Sequence, residues 1–246
     1  MILSIIIPIF NEEKTVNEIL RKVYSVKLPL SIKKEIIVID DGSTDSSKFK
    51  VRAVAKAAMA RRRQNLNWIK FISHSKNLGK GAAVRTGLKV ATGELIIIQD
   101  GDLEYDPSYY PVLLKPILEK KAKIVYGTRL INYPLKLWGE NKTILPTHLI
   151  ANKFLTGITN LLYGSSLTDM ETCYKVFRAS CLNGIKLKSS GFGFEPEITA
   201  KFLKKGIKII EVPIKVKPRT HKEGKKITWI DGFKAVFVLL KYRFFN

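Results

Sequence analysis

Glu-Leu-Ile-Ile-Ile-Gln-Asp-Gly-Asp, at residues 94–102, joins a run of apolar residues to two carboxylates. The apolar run predicts a buried strand. Asp100 and Asp102 follow it, separated by one glycine, and Glu104 lies two residues further on. Carboxylates this close repel one another, and a hard divalent cation with oxygen ligands commonly offsets that repulsion. Asp and Gly are also ordinary turn formers, so a polar turn without a metal is an equal alternative at this point.

The first half of the chain alternates strand patterns with helical patterns. The predicted strands are 2–9, 35–40, 67–72, 94–100 and 123–127, and the predicted helices are 12–25, 45–60, 79–91 and 107–120. This alternation predicts an α/β fold with a mostly parallel central sheet flanked by helices on both faces. Asn11 is a candidate cap for the first helix, and Pro107 suits the start of the fourth.

The second half is less regular. A long loop is predicted at 129–147, helices at 148–163, 195–205 and 229–243, and strands at 173–178 and 207–214. We see no repeat and no low-complexity linker, so we expect one domain at 1–228. The segment 229–246 is expected to be an amphipathic helix that either belongs to the same domain or contacts a membrane surface.

The composition is globular and strongly basic. The 246 residues include 43 Lys or Arg and 21 Asp or Glu, a formal net charge of +22. Such a charge suits nucleic acid, an anionic membrane surface or a polyphosphate substrate. No apolar run reaches the roughly 18 residues of a transmembrane helix. The two cysteines give neither a disulfide framework nor a metal-ligand spacing, which fits a reducing cytosol.

Polar residues follow four of the predicted strands at the same end. These segments are Pro-Ile-Phe-Asn-Glu at 8–12, Asp-Asp-Gly-Ser at 40–43, Asp-Gly-Asp at 100–102 and Gly-Thr-Arg at 127–129. In an open α/β sheet, ligands bind outside the carboxyl ends of the strands. We therefore expect one shared site at this edge. Gly79-Lys80-Gly81 is a weak match to a phosphate-binding loop, because the Gly-Lys-Ser/Thr ending is missing.

Several ordered motifs resemble glycosyltransferase family 2, with its GT-A fold. They are Ile-Ile-Pro-Ile-Phe-Asn-Glu at 6–12, Ile-Asp-Asp-Gly-Ser-Thr-Asp at 39–45, Asn-Leu-Gly-Lys-Gly at 77–81 and Gln-Asp-Gly-Asp at 99–102. Gly-Thr-Arg at 127–129, the segment 168–178, Gly-Phe-Glu-Pro-Glu at 193–197 and Glu-Val-Pro-Ile at 211–214 are similar to the polyprenyl-phosphate glycosyltransferases, the dolichyl-phosphate mannose synthase type. The chain departs from members of that type that carry C-terminal transmembrane helices.

The resemblance implies an inverting, metal-dependent transfer of a hexose from a nucleotide-diphosphate sugar to a polyprenyl phosphate at the cytosolic membrane face. It implies that a Mg²⁺ or Mn²⁺ ion is held by Asp100 and Asp102, with Glu104 as a candidate third ligand. It also implies donor contacts at these residues: Pro8, Phe10, Glu12, Asp40, Asp100, Arg219, Lys225 and Lys226.

On the acceptor side, Arg129 resembles the ligand of the acceptor phosphate. Asp169 is a candidate for a general base or for positioning, and the resemblance thus gives a catalytic set of Asp102, Asp169 and Arg129. Glu195 and Glu197 either orient cationic side chains near the site or only favour a helix N-terminus.

A lipid acceptor also gives the apolar helices 148–163 and 229–245 a role. Either could lie at an anionic membrane surface, or both could pack on the sheet or in an oligomer. A peripheral, cytoplasmic location follows, with or without a separate membrane-anchoring partner. The alternatives are a family 2 enzyme with a saccharide acceptor in cell-envelope polysaccharide synthesis, and a basic nucleic-acid-binding protein.

Overall fold

A computed structural model describes residues 1–60, 67–131, 146–217 and 229–245. Within these ranges the strands are β1 Ile2–Ile9, β2 Lys33–Asp40, β3 Asn67–Ser73, β4 Leu95–Ile98, β5 Ile124–Thr128, β6 Lys175–Arg178 and β7 Ile209–Pro213. The helices are α1 Val16–Ser25, α2 Ser47–Ala60, α3 Lys80–Val90, α4 Tyr110–Leu118, α5 Pro146–Tyr163, α6 Phe194–Lys204 and α7 Trp229–Phe244. Two short 3-10 turns, Pro107–Tyr109 and Ala179–Leu182, complete the described elements.

The strands form one sheet in the order β3-β2-β1-β4-β6-β5-β7. The pairs of β1 with β2 and β4, of β2 with β3, and of β5 with β7 are parallel. Only β6 runs against its neighbours β4 and β5 among the described strands. The expected α/β fold with a mostly parallel sheet is therefore confirmed.

The sheet is covered on both faces, which explains the apolar run that marks β4. Leu95, Ile96, Ile97 and Ile98 are each at most 2% exposed. Strands of a parallel sheet that are buried on both faces read as continuous apolar runs rather than as an alternation. The α2, α3 and α4 helices pack directly against the strands.

One predicted helix start is wrong and one is confirmed. Asn11 does not cap α1, which begins at Val16 after Thr15. Asn11 adopts a positive φ of 53° and accepts a hydrogen bond from the Thr44 backbone N–H, so it ties the end of β1 to the next loop. Pro107 does begin a helical turn, and Asp106 caps that turn by accepting from Ser108 N.

A second, smaller apolar cluster holds α5, α6 and α7 together. Its buried members are Leu155, Met170, Ala200, Ala235, Leu239 and Tyr242. In α7 the buried residues are Ala235, Leu239 and Tyr242, which recur at helical spacing and therefore form one face. Across the described part of the chain, none of the helices has the length and hydropathy needed to cross a bilayer.

Candidate active site

A cavity of about 780 Å³ opens at the carboxyl ends of the strands. Its wall includes residues that follow β1, β4 and β5, and residues of α3, α5, α6 and α7. The predicted site residues in this wall are Pro8, Phe10, Glu12, Asp100, Asp102, Glu104, Arg129 and Glu195. The structure thus brings together side chains that the sequence placed at the ends of separate strands.

Asp100 is paired with a lysine from α3. Lys80 Nζ lies 2.8 Å from Asp100 Oδ1 and 2.8 Å from Glu195 Oε1. Burial alone would lower the pKa of Lys80, but the carboxylates of Asp100 and Glu195 raise it well above its ordinary value. The charged Lys80 side chain is therefore held by two carboxylates and links two walls of the cavity. The sequence motif Gly79-Lys80-Gly81 did not reveal that role.

The two aspartates after β4 fit a divalent cation that is shared with a phosphorylated ligand. Both line the cavity, and Asp102 Oδ1 accepts a hydrogen bond from Glu104 N at 3.0 Å. Gly101 lets them approach β1, since a Cβ at this position would lie 2.8 Å from Ile9 Cγ2. Mg²⁺ is commonly held by one or two carboxylates together with substrate phosphates, and the aspartate pair meets that requirement.

Glu104, the candidate third ligand, lines the same cavity as Asp100 and Asp102. Within the described ranges, no three His, Cys, Asp or Glu side chains are grouped closely enough to hold a metal ion. The backbone N–H of Glu104 donates to Asp102 Oδ1, so the two residues belong to one turn. A role for Glu104 as the third ligand therefore stays a prediction.

Asp40 is not among the residues that line the cavity, although it was expected to contact the donor. Its side chain is fully buried and accepts hydrogen bonds from Ser43 N at 3.2 Å and Ser73 Oγ at 2.8 Å. The next residue, Asp41, lines the cavity instead and accepts from Gly79 N at 2.7 Å. Asp40 therefore fixes the loop after β2, and Asp41 fixes the start of α3.

Arg129 faces the cavity and is held by Asp169. Arg129 Nε and Nη2 each donate to a different Asp169 oxygen at 2.7 Å, and Arg129 N donates to Oδ2 at 3.0 Å. The Asp169 side chain is fully buried, whereas 18% of the Arg129 side chain is exposed. Of the two roles considered for Asp169, this geometry favours positioning over general-base catalysis.

The segment 168–178 contains further site residues that the sequence did not single out. Glu171 and Cys173 line the cavity. Lys175 is 1% exposed; its Nζ donates to Met170 O at 2.9 Å and lies 4.3 Å from the Tyr126 ring centroid. Burial, with the nearby Glu195 carboxylate, raises the pKa of Glu171, and burial lowers the pKa of Lys175. Glu171, Cys173 and Lys175 follow one another at intervals of two residues up to the start of β6, and this alternation was the sequence signal that could have identified them.

The two glutamates at the start of α6 have different partners. Glu195 orients Lys80 in the cavity, as expected of one of them. Glu197 is fully buried and accepts from Lys188 N and Ser189 N, while its carboxylate pairs with Lys201. Glu197 therefore fixes the loop that precedes α6.

The predicted donor contacts Arg219, Lys225 and Lys226 lie outside the described residues.

The α5 and α7 helices form the remaining wall and carry exposed apolar stripes. Phe154 and Leu155 of α5, and Phe233 and Val236 of α7, line the cavity. On α7 the stripe consists of Phe233, Phe237, Leu240 and Phe244, which are 40% to 70% exposed. On α5 it consists of Ile150, Phe154 and Leu161, which are 56% to 85% exposed. Two helices with exposed apolar surfaces therefore border the cavity.

Several known proteins with similar sequences carry the names of sugar-transferring enzymes. The dodecaprenyl-phosphate galacturonate synthase of Rhizobium johnstonii is 28% identical, over 99% of this chain and 67% of that protein. The dolichol-phosphate mannosyltransferase of Pyrococcus furiosus is 24% identical, over 98% of this chain and 64% of that protein. This chain thus spans about two thirds of the length of both relatives.

Solved structures share the fold. Glucosyl-3-phosphoglycerate synthase from Mycobacterium tuberculosis, in complex with Mn²⁺, UDP-glucose and phosphoglyceric acid, superposes with a TM-score of 0.69 at 17% identity. The match covers 99% of this chain and 80% of that one. The same enzyme has also been crystallised with Mg²⁺ and UDP. At this identity the likeness confirms the GT-A fold alone.

The sequence profile described as "Glycosyl transferase family 2" matches residues 4–185, which is most of the chain. The matched region contains the strand ends that carry Glu12, Asp100, Asp102 and Arg129. The protein therefore belongs to glycosyl transferase family 2 and is a glycosyltransferase with the GT-A fold.

Proposed function

We propose that this enzyme transfers a hexose, with inversion, from a nucleotide-diphosphate sugar to a polyprenyl phosphate at the cytosolic face of a membrane. One observation carries the proposal. A single cavity contains the aspartate pair after β4 and the Arg129 guanidinium, and it is walled by two helices with exposed apolar stripes. A donor diphosphate, an acceptor phosphate and a lipid chain each have a matching surface there.

The donor lies at the ends of β1 and β4 in this proposal. Pro8 and Phe10 offer apolar contacts, and the Glu12 carboxylate accepts hydrogen bonds from hydroxyl or N–H groups of the nucleoside. Asp100 and Asp102 would hold Mg²⁺ or Mn²⁺. A divalent cation in this position supplies Lewis-acid stabilisation of the charge that develops on the departing diphosphate. The predicted diphosphate contacts of Arg219 and Lys225 remain predictions.

The acceptor phosphate lies against Arg129. A guanidinium suits a phosphate because it donates two parallel hydrogen bonds, although Asp169 already occupies Nε and Nη2. A phosphate monoester has a second pKa of about 6, so much of it is a dianion at neutral pH. One phosphate oxygen forms a bond to C1 of the sugar while the C1–O bond to the diphosphate breaks, and the nucleoside diphosphate leaves with that electron pair. Such a nucleophile needs no general base.

The apolar stripes of α5 and α7 are proposed to rest on the membrane. Aromatic and aliphatic side chains on one helix face enter the boundary between headgroups and acyl chains. The exposed cations Lys241 and Arg243 near the end of α7 meet anionic headgroups, at about 1 kcal/mol for each cation near the surface. The lipid chain would then pass from the bilayer to the cavity between Phe154 and Phe233.

The names of two relatives support a lipid-phosphate acceptor, since one is a dodecaprenyl-phosphate and the other a dolichol-phosphate enzyme. The test is to incubate the protein with a short polyprenyl phosphate, Mg²⁺ or Mn²⁺, and a panel of nucleotide sugars. Mass spectrometry should detect a lipid-linked monosaccharide. Sugar transfer to free saccharides, with none to the lipid phosphate, would contradict the proposed acceptor.

A further inference from the structure

Lys80 is a cavity residue that the proposed function leaves without a role. Its Nζ atom lies 2.8 Å from Asp100 Oδ1 and 3.1 Å from Asp100 Oδ2, so the ammonium group contacts both oxygens of one expected metal ligand. Only 17% of the Lys80 side chain and 20% of the Asp100 side chain are exposed. Lys80 and a divalent cation at Asp100 would therefore share one carboxylate in a half-buried position, where like charges repel more strongly than in bulk water.

A second carboxylate, from α6, also holds Lys80. Lys80 Nζ lies 2.8 Å from Glu195 Oε1, and the Glu195 side chain is 5% exposed. The other oxygen of this group, Oε2, is buried and has no hydrogen-bond partner among the described residues. A buried carboxylate oxygen without a donor costs free energy, because it has lost water and gained no partner in exchange. Glu195 therefore has an unused acceptor oxygen on the carboxylate that already contacts Lys80.

The donors of Lys80 match the oxygens around it in number. An ammonium group has three N–H donors, and three oxygens lie within contact distance of Nζ, two from Asp100 and one from Glu195. A divalent cation that binds Asp100 takes at least one of these oxygens as its ligand and repels the ammonium group. The N–H that loses its acceptor at Asp100 can then turn to Glu195 Oε2, while Lys80 keeps its present contact with Oε1.

The starts of α3 and α6 are fixed against each other. Lys80 is the first residue of α3, and Glu195 is the second residue of α6. Ala82 N donates to Ser190 O at 2.9 Å, and a Cβ at Gly79 would lie 2.5 Å from the same oxygen. Gly79 also has a positive φ of 95°, which glycine adopts without strain. Lys80 therefore stays within reach of Glu195 whichever other group it contacts.

We propose that Lys80 competes with the divalent cation for Asp100, and that Glu195 receives the lysine when the cation binds. This competition keeps the metal affinity of the protein alone low. Mg²⁺ is commonly held by one or two carboxylates together with substrate phosphates, so the donor diphosphate supplies the further ligands that shift the balance towards the metal. The metal and the nucleotide sugar consequently strengthen each other's binding. The inference rests on the metal site of the proposed function.

The test measures Mn²⁺ binding to the purified protein without nucleotide, by electron paramagnetic resonance of the unbound ion. Lys80→Met should tighten Mn²⁺ binding about tenfold or more, because it removes the competing charge and keeps an aliphatic side chain of similar length. Glu195→Gln should weaken Mn²⁺ binding about tenfold, because a neutral amide no longer draws the lysine away from Asp100. A purely structural role of the two residues would not change the affinity in opposite directions.

Lys70→Met and Glu119→Gln are the matched controls. Lys70 pairs with the buried Glu35 at 2.7 Å, and Glu119 is an exposed glutamate; neither Lys70 nor Glu119 lines the cavity. Both control variants should keep the wild-type affinity for Mn²⁺. In the Lys80→Met background, Glu195→Gln should have little further effect, because Glu195 acts on the metal through Lys80.

Weaker or unchanged Mn²⁺ binding by a folded Lys80→Met variant overturns the inference, and so does equal weakening by Glu195→Gln with and without Lys80. If Lys80→Met does not fold, the double variant decides: it should bind Mn²⁺ about tenfold more tightly than Glu195→Gln alone. The expected affinities without any lipid-linked product support the inference and contradict the proposed acceptor. Metal-dependent formation of that product, with wild-type Mn²⁺ affinity in Lys80→Met, does the reverse. Undetectable Mn²⁺ binding in every variant, with or without UDP or GDP, contradicts both.

Discussion

Asp169 holds the Arg129 guanidinium by two hydrogen bonds of 2.7 Å, and a third, of 3.0 Å, comes from the Arg129 backbone N–H. The carboxylate is fully buried, and its own backbone N–H donates to Glu211 Oε1 at 2.9 Å. Asp169 thus holds Arg129 on the side away from the cavity, and the exposed part of Arg129 faces the cavity. Both Asp169 oxygens accept hydrogen bonds from Arg129, and this arrangement favours a positioning role for Asp169 over a role as proton acceptor.

Asp169→Asn should therefore weaken use of the acceptor more than it slows the chemical step. The amide keeps one acceptor oxygen but loses the charge that orients Arg129. We expect the KM for polyprenyl phosphate to rise about tenfold or more, from an uncompensated loss of one charged hydrogen bond. The Tm should also fall, since breaking a buried ion pair costs about 3–5 kcal/mol. A collapse of kcat with an unchanged KM, and a lost pH dependence of kcat, would instead indicate a general base.

Arg129→Ala should impair acceptor binding and leave donor binding unchanged, because Arg129 lies after β5 and the donor residues follow β1 and β4. Arg129→Lys should retain part of the activity, since it keeps a charge but loses the two-pronged geometry. The measurements are initial rates against varied lipid phosphate, and nucleotide-sugar affinity without acceptor. A loss of donor affinity as large as the loss of acceptor affinity would contradict the assignment.

Asp102→Asn should abolish transfer while leaving the fold intact. The side chain lines the cavity and supports one turn by accepting from Glu104 N, a contact that the amide oxygen of asparagine preserves. We expect the wild-type protein to lose activity in a chelator and to regain it with Mg²⁺ or Mn²⁺. The variant should stay inactive at every metal concentration, with circular dichroism and Tm near those of the wild type. Full activity of the variant with added metal would rule out Asp102 as a ligand.

The order of the elements could be predicted because buried strands and helices show characteristic patterns of apolar residues in the sequence. The β4 strand reads as an unbroken apolar run, and turn residues bound it on both sides. The direction of β6 could not be predicted in this way. Periodicity reports which residues are buried, and it contains no information on whether β6 lies parallel or antiparallel to β4 and β5.

Most of the predicted site residues that reach the cavity lie at or just after the end of a strand. Asp100, Asp102 and Arg129 reach the cavity for that reason. Asp40 does not, because the last residue of β2 directs its carboxylate to Ser73 of β3. The role of Lys80 depends on its contact with Glu195, which is far from it in the sequence, and no local pattern reports such a contact.

The raised pKa of Glu171 predicts that it makes stability depend on pH. Burial and Glu195 raise this pKa, while Lys175 and Arg129 oppose the shift and Asp169 adds to it. The folded state therefore keeps a proton that the unfolded chain releases above about pH 4.3, and this stabilisation is lost as pH rises through the folded-state pKa.

Glu171→Gln should consequently gain Tm relative to the wild type as the pH is raised from about 5 to 9, because it has no proton to lose. The measurement is thermal unfolding of both proteins without ligand across this range. Glu119→Gln, which removes an exposed glutamate whose pKa is lowered by Lys121, should show no such gain. A difference between variant and wild type that is constant with pH would show that Glu171 is ionised equally in both states.

The exposed stripe of α7 should bind the protein to anionic membranes. Phe237 and Phe244 are 66% and 67% exposed and lie two helical turns apart on one face. Replacing both with serine should weaken binding to anionic liposomes at least tenfold, since burying each phenylalanine contributes about 1.5–3 kcal/mol. Phe49→Ser is the matched control, because Phe49 is 68% exposed but lies on α2, outside the cavity wall. Flotation at several fractions of anionic lipid measures the effect. Wild-type binding should rise with anionic fraction and fall with salt, whereas equal flotation of the two variants would place the membrane contact elsewhere.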